Sequence, residues 1–167
     1  MTYRIWTYLR FLFNSTNQHG VHSPFVYQFL TKCLYKNAKQ KGSRVHKVLM
    51  KSIPYLKLQT LLLRTDTIEV QKQLSKAYPA LEFRCTPADL IFVGRDQLLQ
   101  INSSWLNDHC HEHGMILLED IHRSSETSAI WKSLCEKAWV TVSIDFYFGG
   151  IIFLRTEQVK QHFRIRI

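Results

Sequence analysis

The sequence predicts an α/β fold: a three-layer sandwich with a mostly parallel sheet, a C-terminal antiparallel hairpin and an N-terminal helical extension. Three observations lead there. Short apolar runs such as "TLLLR" (60–64), "LIFV" (90–93) and "MILL" (115–118) alternate with amphipathic stretches of helical period. Within those runs successive residues are apolar, as a strand covered on both faces requires. The segment "WVTVSIDFYFGGIIFLR" (139–155) reads as two strands meeting at Gly149-Gly150, a hairpin signal.

Each element follows from its local pattern. Residues 1–13 read as a helix, and "NSTNQHGVHSP" as a loop punctuated by Gly20 and Pro24. "SPFVYQFLTKCLY" is a helix with Ser23 as cap and Pro24 in its first turn. "KNAKQKGS" is a basic linker, and "RVHKVLMKSIPYL" a further helix expected to end near Pro54. Then come a strand at 59–66, a helix at 67–78 and strands at 81–85 and 88–95. Residues 96–113 read as mostly helical, 114–121 as a strand and 124–137 as a helix started by Ser124 and Thr127. A short "EQVKQHF" segment and "RIRI" close the chain.

A chain of 167 residues with 46% hydrophobic content suits one compact unit. Its natural division is a helical extension over 1–55 and an α/β domain over 56–167. No apolar run approaches the ~18 residues of a membrane span, so no membrane partner is expected. Cys33, Cys85, Cys110 and Cys135 are widely and irregularly spaced, which fits reduced thiols in a cytoplasmic protein. The net charge of +9 is lopsided. Residues 1–65 carry eleven Lys or Arg and no acid, whereas residues 66–167 carry eleven basic and thirteen acidic residues. Such a basic face suits either a solvated surface or weak, nonspecific contact with nucleic acid.

In open α/β sheets ligands bind beyond the carboxyl ends of the strands. Glu119, Asp120 and His122 follow one such end, Arg64 and Asp66 another, and Gly94, Arg95 and Asp96 a third. Asp120 and His122 could act as a general base pair; Asp120 could equally serve the N-terminus of the helix that begins near Ser124.

Two stretches, "HGVHSPFVYQFL" (19–30) and "EDIHRSSETSAIW" (119–131), joined by the C-terminal "VTVSIDFYFGGIIFLRTEQVKQHFRIRI", carry a resemblance. The chain resembles a bacterial group of class I S-adenosylmethionine-dependent methyltransferase-like proteins, whose acidic run is usually of D-D-I-H-W-S type. The resemblance implies a Rossmann-like fold with a terminal reversed hairpin and S-adenosylmethionine as cofactor. It places Asp120, His122 and Glu119 at the reaction site, and Asp66, Arg64 and Gly94 at the cofactor.

The chain also departs from that pattern. The family's glycine-rich cofactor loop lets the backbone approach the ligand, yet no glycine lies between residues 43 and 93. One strand-helix unit, about 25 residues, is missing. "TLLLR" is therefore expected to pair with "LIFV", because a vacant central position would leave backbone groups unpaired in the core. Arg64 stands where an acid would hold the ribose, and Gly94 where an aspartate often ends a strand.

Two histidine groups are further candidates. In "HCHEH", His109 and His113 would share a helical face and could bind a metal, or simply be cations at a helix C-terminus; no metal ligand is assigned. His19 and His22 flank Gly20 and could line a substrate mouth or shape the turn.

The expectation from sequence is thus a methyltransferase-like protein, degenerate in cofactor binding, that serves as a binding or scaffolding module for a small molecule or protein. An active methyltransferase with an atypical pocket is one alternative, and a basic nucleic-acid-binding module the other.

Overall fold

The computed structural model describes residues 2–36, 42–66, 68–155, 157 and 159–167; most of the basic linker lies outside the described residues. Seven strands form one sheet in the order β2-β1-β3-β4-β6-β5-β7. They are β1 (Thr60–Arg64), β2 (Glu82–Phe83), β3 (Ala88–Val93), β4 (Cys110–Glu119), β5 (Val142–Asp145), β6 (Gly149–Phe153) and β7 (Gln161–Arg164). β6 runs antiparallel to β4 and β5, and the other pairs are parallel. The expected pairing of "TLLLR" with "LIFV" is present, from Leu61 opposite Leu90 to Arg64 opposite Val93. With β2 on its other side, β1 finds backbone partners along both edges.

Six α-helices occur among the described residues, α1 (Thr2–Asn14), α2 (Pro24–Phe29), α3 (Arg44–Leu56), α4 (Ile68–Ala77), α5 (Ser103–His109) and α6 (Ser125–Glu136), and α2 to α6 cover the sheet. α2 runs on into a π-helical turn, Leu30–Leu34. Alternation within the strands makes two cores. Leu61, Leu90, Phe92, Met115, Leu117, Ile151 and Phe153 face α2, α3 and α4. Ile91, Val93, Ile116, Leu118 and Ile152 face α5 and α6. Both sets are buried, which is why the runs show no polar alternation. The helices of residues 1–55 supply Val26, Phe29, Leu30, Val48 and Leu49 to the first core.

Capping follows the sequence. Ser23 accepts the Val26 N–H with Pro24 in the first turn, and Ser124 and Thr127 form a reciprocal capping box. α3 spans the whole expected stretch, Arg44–Leu56, with Pro54 in its last turn, and ends on Lys57 in the left-handed conformation. Pro54 has no N–H for the Met50 carbonyl, and the Tyr78 hydroxyl donates to that oxygen instead, at 2.6 Å.

Residues 96–113 are helical only as far as His109, and the end of that expected stretch is corrected. Leu98–Gln100 form one 3-10 turn, α5 covers seven residues, and Cys110–His113 already belong to β4. Cys110 pairs with Ala88 across a register shift, so sheet pairing overrides local helix propensity there. Gly149 and Gly150 are not the hairpin turn, which is Phe146–Phe148; they lie inside β6. A Cβ on Gly150 would stand 2.5 Å from the Trp131 ring, so glycine lets α6 lie directly on the sheet. A further correction is β7, four residues long, where no strand was expected.

α1 belongs to neither layer. It crosses the carboxyl edge of the sheet, and Phe11 is buried against Tyr147 of the β5–β6 turn. The following residue Thr16 bridges in parallel to Ile165: its N–H donates to the Arg164 carbonyl at 2.8 Å and its carbonyl accepts the Arg166 N–H at 3.0 Å. The "HGVHSPF" stretch then turns the chain from this edge down into α2.

Candidate functional site

The parallel strands end at Arg64, Phe83, Val93, Glu119, Asp145 and Arg164, so their following loops share one edge. That edge has two halves. In the first, the residues that the resemblance assigns to a cofactor are engaged with neighbouring residues. The Gln97 side-chain amide donates to Asp66 Oδ1 at 2.8 Å. The Gly94 N–H donates to the Arg64 carbonyl at 2.8 Å. A Cβ on Gly94 would lie 2.7 Å from Thr65 Oγ1, so Thr65 fills the space above that glycine. The Arg64 guanidinium sits 5.0 Å from the centre of the Trp105 ring. Glu119 Oε2 faces the Arg95 N–H at 3.4 Å. A hollow of about 210 Å³ lies nearby, between Leu63, Thr65, Ile68, Gln71, Phe83 and Arg84. This is below the ~300 Å³ at which ligand pockets begin.

The second half holds a hydrogen-bonded chain. Asp145, at the end of β5, meets His122 Nε2 through Oδ2 at 2.8 Å. His122 Nδ1 meets Ser128 Oγ at 3.1 Å, and the Tyr3 hydroxyl of α1 donates to the same oxygen at 2.9 Å. Ser128 Oγ also donates toward the Ile121 carbonyl at 3.3 Å. Asp145 Oδ1 accepts the Tyr147 N–H at 2.9 Å, so both carboxylate oxygens are used. The ring of Tyr147 stacks on His122, with centroids 5.3 Å apart and planes 23° apart.

The proton count of this chain is informative. A serine hydroxyl has one hydrogen and two lone pairs. If His122 is doubly protonated, it donates to Asp145 and Ser128, and the serine hydrogen goes to Ile121. If His122 is neutral with its proton toward Asp145, the serine hydrogen must turn to Nδ1 and Ile121 loses it. Ser128 is buried with Tyr3, His122 and the Ile121 carbonyl within hydrogen-bond distance, so it is a latch between the His122 loop, α1 and α6 rather than an exposed nucleophile.

Two neighbouring residues hold left-handed backbone: Asp120 at φ 58° and Tyr147 at φ 68°. Such conformations cost roughly 1–3 kcal/mol each outside glycine and persist where surrounding contacts impose them. Here the Asp120 N–H donates to the Phe148 carbonyl at 2.8 Å, and its carboxylate pairs with Arg4 at 3.3 Å. The Tyr147 hydroxyl donates to the Arg4 carbonyl at 2.5 Å. α1 is thus bonded to both strained positions.

Beside this chain open two adjoining clefts, of about 600 Å³ and 310 Å³, that share His122, Lys132, Asp145 and Arg164. Trp131 and Phe163 give the larger cleft aromatic wall, and Tyr3, Thr7, Arg10 and Phe11 of α1 line the smaller. On β5 the residues toward α6, Ser143 and Asp145, are polar although buried. Ser143 Oγ is 2.6 Å from His162 Nδ1. Burial, with Lys160 second, holds the His162 imidazole below its usual pKa.

Of the residues singled out from sequence, His122 lines both clefts; Asp120 lies behind it on Arg4, and Glu119 turns to Arg95. The structure does not bring Asp66, Arg64 and Gly94 to these clefts. Asp145, Tyr147, Ser128, Tyr3, Lys132 and Arg164 were missed. One signal was available: in "VSIDF", Ser143 and Asp145 recur two apart in an otherwise apolar strand and so share a face.

The other candidates separate. His109 and His113 share no helical face. His109 ends α5 with its ring stacked on Trp105 at 4.5 Å, while His113 in β4 lies near Glu112 and Glu157. No cluster of three or more metal-ligating side chains occurs among the described residues. His19 and His22 are exposed on the turn before α2. All four cysteines are free. Burial pushes the Cys33 and Cys135 thiols up to about 11 and Cys110 to about 12. No helix among the described residues is long and apolar enough to cross a membrane. Comparison with protein-family models and with curated proteins gives no match.

Proposed function

We propose that this chain is a methyltransferase-like binding module that does not hold S-adenosylmethionine and instead takes a small anionic molecule in the clefts beside His122 and Asp145. One observation carries the reading: the carboxyl edge is closed in one half and open in the other. Where the resemblance expects a cofactor, Thr65 fills the space over Gly94 and Asp66 is spent on Gln97. A cofactor cradle needs backbone that a ligand can approach, and these residues do not fit one. In the open half, Arg10 from α1, Lys132 from α6 and Arg164 from β7 converge on one space. Three cations from three elements, over an Asp145 already paired with His122, favour a carboxylate or phosphate.

Calorimetric titration tests both parts. S-adenosylmethionine is expected to give no binding at micromolar concentration. Citrate and inorganic phosphate are expected to raise the melting temperature, and the double substitution Lys132→Ala, Arg164→Ala to abolish that rise. Micromolar S-adenosylmethionine binding that Asp120→Ala weakens by more than about tenfold, ~1.4 kcal/mol, would overturn the proposal and make the chain an enzyme of the resembled class.

A further inference from the structure

The outward face of α1 is apolar. At ~100° per residue, Ile5, Trp6, Leu9 and Phe13 form one stripe about 100° wide, opposite the buried Phe11. Their exposures are 53%, 69%, 42% and 88%. The inward face of the same helix carries hydroxyl groups: Tyr3 donates to Ser128 and Thr7 meets Tyr147 at 3.2 Å. A helix that only covered a protein core would be expected to turn the other way, because four large apolar side chains in water are unfavourable.

The edge that α1 crosses is rich in arginine. α1 itself carries Arg4 and Arg10 and no acid. On the same carboxyl edge stand exposed Arg44, which lies over Phe148 at 4.4 Å, and exposed Arg95 and Arg123 in the loops after β3 and β4. Phe148 in turn packs against Tyr8 of α1 at 6.2 Å, which ties Arg44 to the helix. Of the acids on this edge, Asp120 pairs with Arg4, Asp66 accepts from Gln97 and Glu119 from the Arg95 N–H, and Asp96 and Glu126 are exposed.

We propose that this edge is a membrane-docking surface, on which α1 lies in the interface of an anionic phospholipid bilayer with Ile5, Trp6, Leu9 and Phe13 among the acyl chains and the exposed Arg44, Arg95 and Arg123 on the headgroups. The chemistry is that of an interfacial amphipathic helix, aromatic and aliphatic on one face with cations beside it. Charge complementarity selects the occupant. The first 65 residues hold eleven cations and no acid, and the helix is clamped along the edge by its inward face, so its free stripe offers a shallow band to a flat surface. Surface docking of this kind needs no spanning segment.

Sedimentation of the full chain with phosphatidylcholine vesicles, with and without phosphatidylglycerol, tests the proposal at low and at physiological ionic strength. Binding is expected only with phosphatidylglycerol, weaker at the higher salt, and accompanied by a blue shift of tryptophan emission. The double variant Trp6→Ser, Phe13→Ser removes exposed side chains only. It is expected to keep the far-ultraviolet spectrum and melting temperature and to bind about tenfold less. Equal binding by wild type and variant would overturn the apolar half of the proposal, and equal binding to pure phosphatidylcholine would overturn the anionic half. No sedimentation at low salt would overturn it entirely. So would a wild-type dimer in solution that the double variant converts to monomer, since a second copy would then cover the stripe.

Discussion

Replacing His122 by alanine should destabilise the protein through Asp145. The imidazole supplies the partner of Asp145 Oδ2 at 2.8 Å, and the carboxylate side chain is only 6% exposed. Without the ring, Oδ2 faces a vacancy while Oδ1 keeps only the Tyr147 N–H. Breaking a fully buried pair costs roughly 3–5 kcal/mol, and losing one hydrogen bond to a charged group about 1.5–3. The adjoining clefts let water reach the vacated oxygen, so the lower range applies and we expect about 2–3 kcal/mol. For a domain of this size that corresponds to a fall in melting temperature of roughly 4–12 °C. The assay is urea unfolding of wild type, His122→Ala, Asp145→Asn and the double variant. Since each single change breaks the same contact, the double variant should cost clearly less than the sum, with a coupling of about 1.5 kcal/mol or more. A coupling below ~0.5 kcal/mol, or single variants within ~0.5 kcal/mol of wild type, would refute the view that the chain of Asp145, His122 and Ser128 holds the edge together.

Two further outcomes are expected. Gly150→Ala puts a Cβ 2.5 Å from the Trp131 ring, and displacing a core tryptophan should cost about 1–3 kcal/mol by urea unfolding; a neutral result would mean that α6 can lift off the sheet freely. Asp89→Asn should cost about 1 kcal/mol near neutral pH, at the low end because the group is partly screened by water. Burial works against ionised Asp89, but the N–H groups of Gln59 and Thr60, the Thr60 hydroxyl and His111 outweigh it and hold its pKa below the ordinary value. A lowered folded-state pKa gives stability that is present above the ordinary aspartate pKa and lost as pH falls through the folded value. The gap between variant and wild type should therefore close in acid; a gap that is constant with pH would assign the loss to shape instead of charge.

The sequence by itself determined the layer architecture. Unbroken apolar runs such as "LIFV" and "MILL" can be buried on both faces only in a covered sheet, and the amphipathic stretches between them supply the cover. It also determined the helix starts at Ser23 and Ser124, because capping is a contact between residues three apart. Even the pairing of "TLLLR" with "LIFV" could be deduced, since backbone groups in a core must find partners.

What only the tertiary structure decided depends on contacts between distant residues. Cys110–His113 became strand because Ala88 was there to pair with Cys110, and Gly150 proved to be a seat for Trp131 because α6 comes down on that spot. Pro54 stayed inside its helix because Tyr78, twenty-eight residues from Met50, satisfies the carbonyl that proline leaves without a donor. The site shows the same division. His122 was legible as a polar residue past the end of an apolar strand. Its partners Asp145, Ser128 and Tyr3 lie 23, 6 and 125 residues apart along the bonds of the network, and no local period relates them. Nor could a local pattern say which face of α1 turns inward. Both faces are rich in large side chains, and the buried one is settled by hydroxyl groups that find Ser128 and Tyr147 only once the sheet has put those residues on one edge.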